Sequence, residues 1–441
     1  MDAPRQHPAG NRGSGLVGTG ALGYRPLNAY PFALGVPVTM YRVSPFVRHF
    51  AWALLGGVGL ATLWVNMSPA SYYDTIEWRL ADVPVPLWLA PAPFSLTPMS
   101  IVSDGLMALF LFFVGKELWE SLVLERGALA QRRAILPGGA VLGGVLGAVA
   151  VWWLAAALFE TAQEATPGAG WPVPVGSDVV LCYVFGRHAF GRNHPALHLL
   201  LLITIASDIV GLVLLGLAYP ATGLRLVWLL LPLGASVGVW ALFGRIDRRA
   251  TELQRQRSMA LWPYVLAGLA SYIGVAAAGL PPALGLLPVI PAIPHADRAF
   301  GLFAEAEEFL HDPLNRLAHL LVRPLGVVLF LFGLTRGGID LGALAPTTGI
   351  VLAALWIGKP VGLMAGVLSI AAATRMPLPA GLSLRDLVVL SLIAGIGFTV
   401  PVLAIDTALP GGAMTEAARL GLGLSLLIGP FALLIARFLP R

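Results

Sequence analysis

Apolar runs of about 20 residues recur along most of this chain, separated by short polar breaks, and few folds accommodate that repetition. A helix of about that length spans the hydrocarbon core of a bilayer. No water is present there to pair backbone N–H and C=O groups, so each segment must satisfy its own, and helices do so. Composition agrees. Of 441 residues, 57% are hydrophobic and only 12% charged, whereas soluble domains carry roughly 25% charged residues. A single soluble core of this size has no room for so much apolar surface. The lone Cys182 lies in an apolar run, where it reads as a small hydrophobe and excludes an internal disulfide framework.

The runs predict twelve spans, at about 46–66, 100–124, 134–158, 175–190, 196–219, 223–243, 259–273, 275–293, 314–334, 346–371, 385–409 and 416–438. The boundary between the seventh and eighth is drawn at Gly274, with Gly279, Pro281 and Pro282 as further interruptions. Residues 1–40 are rich in Gly and Pro, lack a sustained apolar run, and read as a disordered cytoplasmic tail ahead of a transmembrane domain at 41–441; Met40 is an alternative start. Between the first two spans, the Pro-punctuated stretch 83–97 reads as an extended hairpin outside the bilayer.

Arginines set the expected orientation. With the N-terminus inside, the inner loops hold Arg126, Arg132, Arg133, Arg187 and Arg192, the Arg245–Arg257 group, and Arg375 and Arg385. The outer loops hold little beyond Arg79, Arg225, Arg336 and Arg419. This bias predicts an even number of spans with both termini in the cytoplasm. The net charge of +5 does not point to nucleic acid, because the arginines sit in breaks between apolar runs and not along one face. No HExxH, nucleophile elbow or GxxxxGK[ST] loop is present, so the sequence favours a transporter over an enzyme.

The chain's only two lysines, Lys116 and Lys359, fall inside apolar runs, as do Glu117, Asp178 and Asp208. A charge at the centre of a membrane helix costs at least ~2.5–3.5 kcal/mol on insertion scales, so each needs a partner or a watery site. Two runs are also interrupted, by Pro172, Pro174 and Gly176 before Asp178, and by Gly395 to Pro401. Broken helices expose backbone ends at membrane depth. A carboxylate neutralises facing N-termini and an ammonium facing C-termini, roles that suit Asp178 and Lys359.

Five motifs in order, 103–118, 170–180, 203–213, 355–363 and 394–402, resemble those of the NhaA-type sodium/proton antiporter family, and the resemblance runs from about residue 46 to the C-terminus. It implies an all-α polytopic membrane protein of twelve helices in an inverted repeat, with the fourth and eleventh broken and crossing. It further implies Asp178 as the carboxylate that balances the crossing, Lys359 as the lysine of the tenth helix, and Glu117 as part of a cytoplasmic entrance. Glu307 falls near the family's glutamate before the ninth helix. The hairpin implies a homodimer contact.

The departures are specific. The family's tandem aspartates in the fifth helix meet Ser207, Asp208 and Ile209 here. Counted back from Gly211, Asp208 takes the first place and Ile209 the second; with a one-residue slip, Ser207 and Asp208 do so. Either way one carboxylate is missing. Three further family motifs read Ala276–Ala278, Arg336–Gly338 and Thr399–Pro401, which marks a divergent member.

The expected function is exchange of Na+ or Li+ for H+ across the bacterial cytoplasmic membrane, serving pH and sodium homeostasis, with no cofactor. Asp208 is the expected central carboxylate and metal ligand, Lys359 its partner, and Ser207 and Thr204 supply further oxygens. Lys359 reads either as a proton carrier or as a structural counter-charge. Lys116, Glu117 and Glu307 are entrance or pH-sensing candidates, although Lys116 and Glu117 also read as a snorkelling pair. Glu305, Glu308 and Asp312 read as loop charges, Asp104 as a cap or mouth residue, and Arg336 as a loop cation or a compensating charge. The competing reading is a paralogue that moves another small ion or has lost transport.

Overall fold

Apolar runs with two hydrophobic faces become helices that turn one face to protein and the other outward. In α1 (Phe46–Met67), Phe50, Leu54, Val58, Ala61 and Val65 are buried at helical spacing, while Trp52, Leu60 and Leu63 are exposed. A soluble helix would place polar residues on that outer face; here it is apolar, as it is at Leu146, Leu154 and Leu266 in other helices. The outer surface is built for lipid.

The computed structural model describes residues 46–84, 94–123, 135–159, 167–191, 194–220, 223–244, 257–295, 303, 312–378 and 381–438. The N-terminal tail with Met40, the hairpin tip, the loop with Glu305, Glu307 and Glu308, and the loops carrying Arg126, Arg132, Arg133, Arg192 and Arg245–Arg255 lie outside the described residues.

Helix α2 (Pro69–Ile76) follows, then two short antiparallel strands, β1 (Ala81–Val83) and β2 (Phe94–Leu96), with Asp82 opposite Ser95. These strands are the flanks of the expected hairpin and begin two residues earlier than 83. A π turn over Ile101–Leu106 leads into α3 (Met107–Val123). The bundle continues with α4 (Ile135–Phe159), α5 (Val179–Phe190), α6 (Pro195–Ala218), α7 (Leu230–Val239) and α8 (Trp262–Ala277). It ends with α9 (Pro313–Arg336), α10 (Pro346–Ala353), α11 (Lys359–Thr374), α12 (Leu384–Ala394), α13 (Thr399–Ala408), α14 (Ala413–Ser425) and α15 (Ile428–Phe438). Among the described residues, eight helices are long and apolar enough to cross a membrane, and α12 with α13 makes a ninth span bent by 45°. Three shorter apolar helices are also present: Val179–Phe190, Trp262–Ala277 and Pro282–Ala292.

Three boundaries differ from expectation. The fourth run is helical only from Val179, because Pro172 and Pro174 stop the helix earlier, residues 176–178 belong to no helix, and Asp178 is extended. The seventh runs through Gly274 to Ala277, since Gly274 packs close to Pro232 and Leu231. The break comes instead at Gly279, with φ +86°, followed by Pro281 and Pro282. Arg419, placed in a loop by its sequence position, is buried within α14.

Helices α4 and α11 pack closely. Gly139, Gly143 and Gly147 face Gly358, Gly362 and Gly366; a Cβ on Gly143 would run into the carbonyl oxygen of Gly362, and one on Gly366 into that of Gly139. Small residues let backbones approach where no hydrophobic effect drives helices together. This contact fixes the helix that begins with Lys359.

Candidate functional site

The two broken segments meet at Asp178. Its backbone is extended (φ −133°, ψ 105°) and its Oδ1 accepts from Leu181 N at 2.7 Å, capping α5. Its Oδ2 accepts from Thr399 N at 3.3 Å, the first residue of α13 and 221 positions away. One carboxylate therefore serves two helix N-termini, where the unpaired N–H groups carry partial positive charge.

The carbonyl ends are satisfied in turn. Ser177 Oγ donates to Ala394 O at 3.0 Å and Cys182 Sγ to Ile393 O at 3.2 Å, at the C-terminus of α12. Lys359 Nζ donates to Val175 O at 3.0 Å and also to Gly176 O. All four side chains that hold the break, Ser177, Asp178, Cys182 and Lys359, are buried.

Asp208 joins this crossing from α6. It is 1% exposed, so it is fully buried. Its Oδ1 accepts from Ser177 N at 2.6 Å. No ion pair within 4.0 Å joins Asp178, Asp208 or Lys359 among the described residues. The Lys359 ammonium donates to the two carbonyls, which would otherwise lack donors, and makes no direct ion pair with Asp208. Ser207 and Thr204 are buried on the same helix, and Thr204 Oγ1 donates to Leu201 O at 2.9 Å. Ile209 is partly buried and packs on the main hydrophobic cluster. The oxygens gathered here, a carboxylate, hydroxyls and carbonyls, are hard ligands of the kind small hard cations prefer. Among the described residues, no cluster of three or more His, Cys, Asp or Glu is present to hold a resident metal.

Lys116 and Glu117 are 1% and 3% exposed, which rules out snorkelling. Lys116 Nζ lies 3.0 Å from Glu117 Oε1 and 3.1 Å from Glu120 Oε2, one helical turn on. Glu117 Oε2 also accepts from Phe303 N at 2.6 Å, so the cluster is tied to a distant segment. Asp312 is the N-cap of α9, accepting from Asn315 N at 3.2 Å, and is not a free loop charge.

A second charged group escaped the sequence reading. Arg336, at the end of α9, donates to Asp406 Oδ2 and, at 2.7 Å, to Ser103 Oγ. Asp406 Oδ1 accepts from Arg419 at 2.7 Å, and Arg419 donates to Glu416 at 3.2 Å. The signal was available, since Asp406 is a carboxylate in the apolar run 399–408. Arg336, Asp406 and Asp104 line a cavity of about 510 Å³.

The class this defines is a polytopic helical membrane protein with two broken segments whose exposed ends are closed by buried charges. The Na+/H+ antiporter 1 family model matches residues 48–435, and the chain belongs to that family. It is 39% identical to the Na(+)/H(+) antiporter NhaA of Jannaschia sp. (strain CCS1), covering 87% of this chain and 94% of the relative. It is 31% identical to that of Geotalea uraniireducens (strain Rf4), covering 89% and 96%. Among solved structures, the sodium proton antiporter MjNhaP1 from Methanocaldococcus jannaschii aligns over 89% of this chain and 98% of its own, at 13% identity and TM-score 0.47.

Proposed function

We propose that the protein exchanges Na+ or Li+ for H+ across the bacterial cytoplasmic membrane, through Asp208, in the service of sodium and pH homeostasis. The observation that carries this is the position of Asp208, fully buried on an apolar helix yet bonded to the amide of Ser177 between the two broken segments. A carboxylate there binds a cation or a proton, and Ser207, Thr204 and local carbonyls supply the remaining oxygens. Asp178 and Lys359 hold the crossing closed around it. In this reading the eight long helices, the bent pair and the three short apolar helices are the twelve spans of an inverted repeat, an even number that puts both termini on one face, the cytoplasmic one. The hairpin flanked by β1 and β2 is the proposed homodimer contact, and Lys116, Glu117 and Glu307 the proposed cytoplasmic entrance.

Everted vesicles carrying the unmodified protein should exchange sodium for protons, and Asp208→Asn should abolish that exchange. An Asp208→Asn protein that still exchanges removes Asp208 from the role. One observation favours a second reading, in which the chain carries a different small ion: Ile209 packs as a hydrophobe beside Asp208. Exchange driven by other monovalent cations but not by sodium or lithium would select it.

A further inference from the structure

The cavity of about 510 Å³ shares two helices with the central site. Leu212 and Leu215 line it and stand four and seven residues beyond Asp208, on the same face of α6. Leu403 and Thr407 line it from α13, whose first residue donates to Asp178. The charges on its wall are Asp104, Arg336 and Asp406, within a mostly apolar lining.

Asp406 is covered by guanidinium on both oxygens, by Arg336 and by Arg419. Arg336 is 12% exposed, and the carboxylate it holds is shared with another cation. With Glu416 on Arg419, the group sums to three carboxylates against two guanidiniums. Asp104 is the member without an ion pair within 4.0 Å among the described residues.

We infer that Arg336 sets the cation affinity of this mouth of the transport path. A guanidinium fixed in a low-dielectric cavity focuses positive potential into it, opposing the attraction of Asp104 for an incoming cation. Asp406 holds that guanidinium in place, and Arg419 keeps Asp406 paired when Arg336 is removed. Arg336 is therefore an affinity-determining residue that acts from one face of the membrane. The inference rests on the exchange reading above.

The test measures the KM for sodium on each face separately, in right-side-out and everted vesicles carrying the full chain. Arg336→Gln should lower the KM on the cavity face by about tenfold, the low end of the range that such focusing produces, and leave the opposite face unchanged. Asp406→Asn, which strips the counter-charge from Arg336, should raise it. The double variant should return it toward the unmodified value, and Arg336→Lys should stay close to it. If Arg336→Gln does not fold, Asp406→Asn and the double variant decide the matter by the same sided comparison. A latch that merely ties α9 to α13 would shift both faces together or lower Vmax alone, and either result overturns the inference. Absence of exchange by the unmodified protein overturns the exchange reading and this inference with it, and is distinct from exchange whose KM ignores Arg336.

Discussion

The buried charges of this protein are held in two different ways. At the crossing, Asp178, Asp208 and Lys359 bond to backbone: two helix N-termini, the amide of Ser177, and the carbonyls of Val175 and Gly176. In the Lys116 and Arg336 groups, side chains pair with one another directly. The difference has a physical consequence. An ion pair between side chains is complete, and removing one partner strands the other. A carboxylate held by a single amide has no side-chain ion pair to break. Under the exchange reading, it is the group that trades a cation for a proton.

Lys359→Met should give the largest effect in this comparison. It leaves two buried carbonyls without donors, at roughly 1–3 kcal/mol each, and opens the crossing that Asp208 depends on. Thermal unfolding in detergent should shift downward and exchange per folded molecule should vanish, while Lys359→Arg should recover stability. If Lys359→Met keeps full stability, the carbonyls have found another donor and the backbone-held picture of the crossing is wrong.

Lys116→Met should separate stability from transport. It strands Glu117 and Glu120 together in a buried site, where losing one partner of a buried pair costs roughly 3–5 kcal/mol. Folded protein should fall, exchange per folded molecule should persist with the shifted pH profile expected of an entrance group, and adding Glu117→Gln and Glu120→Gln should restore the yield. An unshifted pH profile in the restored triple variant would remove this cluster from the entrance and leave it on the structural side of the comparison.

What the letters revealed follows the same division. Asp178, Asp208 and Lys359 were legible because an ionisable residue in an apolar run stands out, and the Pro and Gly positions beside Asp178 marked the break. The partners of Lys359 were not legible, because a carbonyl has no letter and every residue carries one. The burial of the Lys116 group was not legible, because Lys116 pairs with Glu120 one turn away and Glu117 accepts an amide from Phe303, a distant segment. Arg336 and Arg419 lie near run ends, where an arginine reads as a loop cation until Asp406 is seen between them. Gly274 looked like a helix end, but its lack of a side chain serves contact with Pro232 instead.

The smallest effect, and the finest test of the backbone-held centre, is expected from Ile209→Asp. With Asp208 as sole carrier, one site takes one sodium or one proton, so exchange is electroneutral and insensitive to membrane potential. A second carboxylate that carries a second proton makes each cycle move net charge, and the rate should then respond to a potassium diffusion potential imposed with valinomycin. The substitution removes a partly buried hydrophobe from the main cluster, a loss of up to roughly 1.5–3 kcal/mol, so a modest fall in stability should accompany it. Successive helical residues point about 100° apart, and Ile209 is less buried than Ser207, which is 2% exposed. If Ile209→Asp leaves the rate indifferent to potential while Ser207→Asp makes it responsive, the register of the missing carboxylate is the slipped one. Asp208 then stands in the second of the family's two places, and the vacant oxygen position lies on the buried side of α6.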